Sequence, residues 1–182
     1  MIAIGGRFSR WTWLLMAVVG LSVACASDYW LKWHRRVAAL NGLRDEINAR
    51  YGYRDGTPCI NWGPCGRFAK AFREQWNARF REKVNVAFVM APDGLCHHVV
   101  LKFPDGSYFD GGNGVISGAK LLTLYAQDDQ IEEMVQFDLS LLDQRVGGLH
   151  HEHYPLCPNY SDSLTAELIK KHLDLLASDL GD

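Results

Sequence analysis

The chain has 182 residues, 48% of them hydrophobic and 22% charged, with a formal net charge of −2 at pH 7. This length suffices for one domain with a substantial core and an N-terminal extension, but a second full domain is not expected. The near-neutral charge, without a stripe of Lys and Arg beyond the N-terminus, argues against a nucleic-acid partner.

The N-terminal segment, residues 1–27, differs in kind from the rest. Two arginines precede the uncharged run WTWLLMAVVGLSVACA, and small residues at Ala24 and Ala26 match a cleaved secretory signal. Cys25 allows a weaker lipoprotein interpretation, flanking tryptophans are typical of an uncleaved anchor, and the length alone also fits a buried core helix. We expect export or membrane attachment, with residues 28–182 forming one extracytoplasmic, periplasmic domain.

Two helices are predicted next. Residues 34–52 carry apolar side chains at helical spacing and end in a glycine, which is typical of a packing helix. In the second helix an aromatic residue recurs every four positions on an otherwise polar surface, at Phe68, Phe72, Trp76 and Phe80.

Cys65 lies in the first turn of this second helix, directly after Pro64, whose missing N–H costs nothing there. Unpaired backbone N–H groups at the positive end of the helix dipole favour a thiolate. Cysteines in such an environment become nucleophiles. The stretch CINWGPCGRFAKAF therefore predicts a reactive thiol, although a free cysteine is also commonly buried and inert.

Three short β-rich runs follow, VNVAFVM, HHVVLKF and SYFD, separated by two Pro-Asp-Gly turns. They predict an antiparallel meander of three strands. His97 and His98 point to opposite faces of the middle strand. If Pro-Asp-Gly at 104–106 forms a three-residue loop, Asp110 shares a face with His98, whereas an even loop length would select His97 as the alternative base. Pro-Asp-Gly suits the three-residue loop, which favours His98.

Cysteine, histidine and aspartate in this order meet the needs of thiol catalysis: Cys65 as nucleophile, His98 as base, and Asp110 to orient the imidazole. Each residue also has an ordinary structural interpretation, and it is the three residues together, in this order, that indicate catalysis. An oxyanion hole is required as well, for which Asn61 or Trp62 could add a side-chain donor.

The stretches GPCGRFAKAF, HHVVLKF and YFDGGNG resemble the core of the papain-like and transglutaminase-like superfamily of cysteine hydrolases and acyltransferases. The resemblance covers residues 59–114, and CGRF departs from the papain sequence pattern. It implies an α+β fold with the cysteine helix packed on a small antiparallel sheet. It also implies acyl transfer from an amide or ester through a thioester, with the backbone N–H of Cys65 in the oxyanion hole.

The C-terminal third predicts helices over 117–137 and 163–180, the second capped by Ser163 and buried through its leucines. The long loop between them contains His150, His151, His153 and Cys157, which could bind zinc together with Cys96, but the spacing matches no standard metal motif. In an oxidising compartment two of the cysteines Cys59, Cys96 and Cys157 could pair, and the sequence does not say which two.

The sequence thus predicts an exported or membrane-attached α+β enzyme without metal or other cofactor, acting on a peptide, protein or cell-wall amide. The alternative is a non-catalytic exported binding domain whose Cys and His residues are structural or bind zinc.

Overall fold

The computed structural model describes residues 10–125, 128–134, 136–137, 140 and 157–180. The chain divides into two compact units, residues 1–36 and 37–182, and the boundary falls inside the first helix, α1 (Arg10–Tyr51). Within the described ranges, no helix is both long and apolar enough to cross a membrane. The leader or anchor predicted for residues 1–27 stays a prediction.

The fold is α+β, as the sequence predicts. After α1 the elements are β1 (Tyr53–Arg54), β2 (Thr57–Pro58), a 3₁₀ turn (Cys59–Asn61), α2 (Cys65–Arg79), β3 (Asn85–Met90), β4 (Cys96–Lys102), β5 (Tyr108–Asp110), β6 (Gly114–Ile116), α3 (Gly118–Leu122), β7 (Gln130–Met134) and α4 (Asp162–Leu180). Strands β3 to β7 form one antiparallel sheet in the order β6–β5–β4–β3–β7, and β1 pairs with β2.

Helix α2 begins at Cys65 and buries its aromatic face against the sheet, as predicted. The ring of Phe72 lies 5.1 Å from that of Phe109, and the ring of Trp76 lies 5.0 Å from that of Phe103. Burying an aromatic or large aliphatic side chain contributes roughly 2 kcal/mol. These contacts therefore fix the position of α2 on the sheet.

The predicted meander is confirmed as β3, β4 and β5, and the turn between β4 and β5 has the predicted length. The N–H of Phe103 donates to the carbonyl of Ser107 at 2.9 Å, and Gly106 has a φ of +83°. Leu101 lies opposite Phe109 in the same register. The three-residue loop and its left-handed glycine therefore place Asp110 on the His98 face of the sheet.

The prediction of one helix over residues 117–137 is wrong. Its first turn exists as α3, where the Ser117 hydroxyl accepts a hydrogen bond from the N–H of Lys120 at 3.2 Å, but Gln130–Met134 forms the edge strand β7. This strand pairs with β3 along its whole length. Gln, Glu and Met favour helices locally, and pairing with a distant strand overrides that preference.

Helix α4 starts one residue earlier than predicted, and its cap is Ser161 rather than Ser163. The Ser161 hydroxyl accepts a hydrogen bond from the N–H of Leu164 at 3.3 Å. The inner face of α4 buries Leu168, Ile169, Leu173 and Leu176. The predicted zinc ligands His150, His151 and His153 lie outside the described residues.

Candidate active site

Cys65 is the first residue of α2 and is 2% exposed. Pro64 precedes it as the N-cap, and the Pro64 carbonyl accepts the first helical hydrogen bond from the N–H of Phe68 at 2.9 Å. Pro64 makes no side-chain hydrogen bond to cap this helix end. The thiol therefore sits where the helix dipole favours a negative charge.

His98 and Asp110 form a buried pair. The His98 Nε2 atom lies 2.9 Å from Asp110 Oδ2, and each residue is 1% exposed. Because an ionised carboxylate can only accept, Nε2 carries the proton of this hydrogen bond. Asp110 therefore selects the tautomer in which the other ring nitrogen, Nδ1, is the basic atom.

A set of hydrogen bonds fixes the Asp110 carboxylate. Besides His98, its Oδ2 accepts from the side-chain amides of Asn113 at 2.8 Å and Asn61 at 3.2 Å. Its Oδ1 accepts from the backbone N–H groups of Gly112 at 2.8 Å and Asn113 at 3.2 Å. Donors on both oxygens stabilise the charged form, as a buried carboxylate needs.

The attraction between the opposite charges of His98 and Asp110 shifts the pKa values of both residues. Burial is the largest influence on the pKa of His98 and lowers it, but the charges of Asp110 and Cys65 outweigh burial and raise the pKa well above its ordinary value. Burial likewise acts to raise the pKa of Asp110, and the charge of His98 with the hydrogen bonds from His98, Asn113 and Gly112 lowers it overall. An imidazolium beside a carboxylate is thus the favoured state at neutral pH.

The Nδ1 atom of His98 is buried and has no hydrogen-bond partner of ordinary geometry among the residues that the structure describes. Cys65 is nevertheless near enough for its thiol to raise the pKa of His98. Both the charge of Cys65 and a hydrogen bond with its thiol raise the pKa of His98, so the thiol lies beside the imidazole. Because Nε2 is bonded to Asp110, Nδ1 is the ring nitrogen that is available to Cys65.

Tyr125 covers the imidazole. Its ring stacks on that of His98 with centroids 5.4 Å apart and planes 22° from parallel. Burial, followed by the charges of Asp110 and Cys65, raises the pKa of Tyr125, so its hydroxyl keeps its proton. Tyr125 thus limits the access of water to His98 and brings a hydroxyl donor near the reactive groups.

His97, the alternative base, turns away from this site. It is the extra residue of a β-bulge, since Val89 pairs with His98 while the next residue, Met90, pairs with Cys96. Its Nδ1 lies 2.8 Å from Asp129 Oδ2, and its side chain is 40% exposed. His97 and His98 therefore have different carboxylate partners, and only His98 lies at Asp110.

Asn61, the predicted oxyanion donor, lies at Asp110. One hydrogen of its amide is directed to the carboxylate, and its Oδ1 is buried without a partner. The neighbouring Trp62 has a buried indole N–H that also has no hydrogen-bond partner within the described ranges. Both predicted side-chain donors therefore lie next to the start of α2, with one of the two amide hydrogens of Asn61 already given to Asp110.

Two glycines allow the loop after Asp110 to approach the 3₁₀ turn and α2. A Cβ on Gly112 would lie 2.6 Å from Pro58 Cβ and 2.7 Å from Asn61 Oδ1, and one on Gly111 would lie 2.8 Å from the Phe68 ring. Such distances are well below van der Waals contact. The sequence Asp-Gly-Gly therefore brings the carboxylate, Asn61 and the start of α2 together.

Sequence reasoning missed Tyr125 and Asn113. The stretch DGGNG does contain a signal for Asn113, because an amide three residues after an aspartate can donate a hydrogen bond to its carboxylate. Tyr125 had no comparable signal, because it follows α3 in a segment predicted to be one continuous helix.

The remaining cysteines have other surroundings. The thiol of Cys96 donates to the carbonyl oxygen of His98 at 3.2 Å, while Cys59 and Cys157 are buried together in the main core. In the part of the chain that the structure describes, no three His, Cys, Asp or Glu side chains form a metal-binding group.

The chain matches no family model, and neither a curated protein nor a solved structure matches it significantly. Membership of the papain-like and transglutaminase-like superfamily stays a prediction.

Proposed function

We propose that this protein catalyses thiol-dependent acyl transfer or amide hydrolysis through a thioester on Cys65. The observation that carries the proposal is the buried His98–Asp110 pair, which leaves Nδ1 as the remaining ring nitrogen while the thiol of Cys65, at a helix start, interacts with the same imidazole. A structural histidine has no need of a buried carboxylate on one nitrogen and an unpaired second nitrogen, because that arrangement costs solvation energy.

In this mechanism the Cys65 thiolate attacks the carbonyl carbon of the substrate, and the carbonyl oxygen gains the negative charge. The backbone N–H of Cys65 and the indole N–H of Trp62 are the donors proposed for that oxygen. The His98 imidazolium then gives its proton to the leaving amine, and the C–N bond breaks to leave a thioester.

In the second half of the reaction, water or an amine attacks the thioester carbon while His98 accepts its proton. The C–S bond breaks and Cys65 is restored. Asp110 keeps the imidazole in one tautomer through both steps. Substrates consistent with the predicted export are peptides, proteins or cell-wall amides, met in the periplasm by a domain that is secreted or attached to the membrane through the N-terminus.

An activated acyl ester tests the proposal without knowledge of the natural substrate. We expect p-nitrophenyl acetate to acetylate Cys65, detected by mass spectrometry of the digested protein, and to be turned over slowly. His98→Ala should reduce the acetylation rate by about 100-fold or more. Cys59, Cys96 and Cys157 in the same digest serve as internal controls and should stay unmodified.

Absence of acetylation at Cys65, or equal modification of all four cysteines, would contradict the proposal. That result would favour the non-catalytic exported binding domain, with structural or zinc-binding Cys and His residues.

A further inference from the structure

A second pair of cysteines lies apart from the candidate active site. Cys59 opens the 3₁₀ turn before α2, and Cys157 lies shortly before α4; they are 7% and 1% exposed. Both are free thiols in this structure. Burial, followed by the charge of Cys59 and a hydrogen bond with its thiol, raises the pKa of Cys157 to about 11. Both side chains also belong to the same cluster of buried core residues, which agrees with contact between the two thiols.

The backbone holds both cysteines at the same corner of the fold, where α1 ends at Tyr51. The N–H of Cys59 donates to the carbonyl of Gly52 at 3.0 Å. The Tyr51 ring lies 5.5 Å from that of Tyr160, and the N–H of Tyr160 donates to the carbonyl of Cys157 at 3.0 Å. A chain of direct contacts therefore joins the two backbones through Tyr51.

The α4 side of this corner is also attached to Tyr51. The Tyr51 hydroxyl donates to the carbonyl of Ser161 at 3.2 Å and lies 2.7 Å from the Thr165 hydroxyl. Tyr51 and Thr165 are both buried. Because these contacts are independent of the sulfur atoms, the native fold itself holds the thiols together.

We propose that Cys59 and Cys157 form a structural disulfide when the protein folds in an oxidising environment. Each thiol loses its proton and the pair loses two electrons as the S–S bond forms. The oxidant is a disulfide, either a small molecule such as oxidised glutathione or an oxidoreductase, which is reduced to two thiols in the exchange.

The surroundings of the other thiols make this pairing selective. Cys65 faces His98, and the thiol of Cys96 is bonded to the His98 carbonyl. Cys59 and Cys157 interact with each other. The pairing that the sequence left open is thereby resolved, and the candidate nucleophile is left reduced.

The cross-link would restrain the 3₁₀ turn that leads to Cys65, the candidate nucleophile. Asn61, which donates to Asp110, lies two residues after Cys59 in the same 3₁₀ turn. The disulfide would tie this turn to the start of α4 and close a loop of about 100 residues, which constrains the unfolded chain strongly. We expect oxidation to raise the Tm by about 10 °C.

The test is to unfold and reduce the full-length protein, refold it in a reduced and oxidised glutathione mixture, alkylate the remaining thiols and digest it without reduction. We expect a Cys59–Cys157 linked peptide, with Cys65 and Cys96 alkylated. The intact protein should be lighter by two hydrogen atoms before alkylation, and dithiothreitol should lower its Tm.

Two variants sharpen the test. Cys157→Ser should abolish the linked peptide without shifting it to another cysteine, whereas the matched variant Cys96→Ser should retain it. Recovery of Cys59 and Cys157 both alkylated from folded protein, or a dominant link that includes Cys65, would overturn the proposal. This readout is independent of acylation at Cys65, so either proposal can fail without the other.

Discussion

Nε2 of His98 and Oδ2 of Asp110 are 2.9 Å apart, in a pair of residues that are each 1% exposed. Bringing two ionisable groups out of water costs several kcal/mol per ion, and apolar residues of similar volume often serve stability as well or better. The pair is therefore better explained by the chemistry it permits at Nδ1 than by its contribution to folding.

The charge of Asp110 should control the protonation of His98. The pKa of His98 is raised to about 10, so in the wild type its ring should lose its proton only well above neutral pH. In Asp110→Asn this charge is gone while burial remains, so the midpoint should fall. NMR titration of the histidine ring signals measures the His98 midpoint in both proteins. An unchanged midpoint in Asp110→Asn would show that the charge of Asp110 does not raise the pKa of His98.

The same shifts predict how stability depends on pH. A raised folded-state pKa means that the contribution of His98 is complete below about pH 6.5 and is lost as the pH rises through the raised value. The lowered pKa of Asp110 means that its contribution is present above its ordinary value and is lost as the pH falls through the folded-state value. Both contributions are complete between about pH 4 and 6.5.

Urea unfolding of wild type and His98→Gln from about pH 6 to pH 9 isolates the histidine. The free energy of unfolding of the wild type should fall more steeply, by up to about 1.4 kcal/mol per pH unit, because other titrating groups are common to both proteins. Parallel curves for the two proteins would contradict the raised pKa.

Tyr125 should act through its ring. Tyr125→Ala removes the stack on His98 and should lower the free energy of unfolding by about 2 kcal/mol, since this side chain is only half-buried. It should also slow alkylation of Cys65, because water then competes for the His98–Asp110 hydrogen bond. Tyr125→Phe keeps the ring and should retain most of both properties. If Phe behaves like Ala, the hydroxyl rather than the stack is what matters.

Gly112 should tolerate no side chain. In Gly112→Ala the new Cβ would overlap Pro58 and Asn61, which should cost about 2 kcal/mol and displace Asn61 from Asp110. The matched control is Gly42→Ala within α1, where the nearest atom would lie 3.4 Å away. There the better helix propensity of alanine should leave stability unchanged or slightly higher. Equal urea midpoints for the two variants would show that the close approach at Gly112 is unimportant.

The position of His98 at Asp110 was predictable because it depends on local chemistry. Pro-Asp-Gly with a left-handed Gly106 sets a three-residue loop, and the loop length sets the register of β4 against β5. The start of α2 at Cys65 was predictable for a similar reason, since an aromatic residue every fourth position shows where the helix lies.

The missed features depend on distant partners. Gln130–Met134 is a strand because β3 offers it an edge, and apart from Ile131 its residues favour a helix over a strand. Tyr125 reaches His98 only because α3 ends at Leu122. The contact between Cys59 and Cys157 joins residues about 100 positions apart, beyond the range of periodicity and turn patterns.

The most direct test of the central claim is the rate at which iodoacetamide alkylates Cys65 near neutral pH in fully reduced protein, in the wild type and in His98→Ala, with the other buried cysteines as internal standards. Cys65 should react much faster than Cys59, Cys96 and Cys157 in the reduced wild type and lose this advantage in a folded His98→Ala protein. A Cys65 that reacts as slowly as the other three, or at the same rate with and without the imidazole, would contradict it.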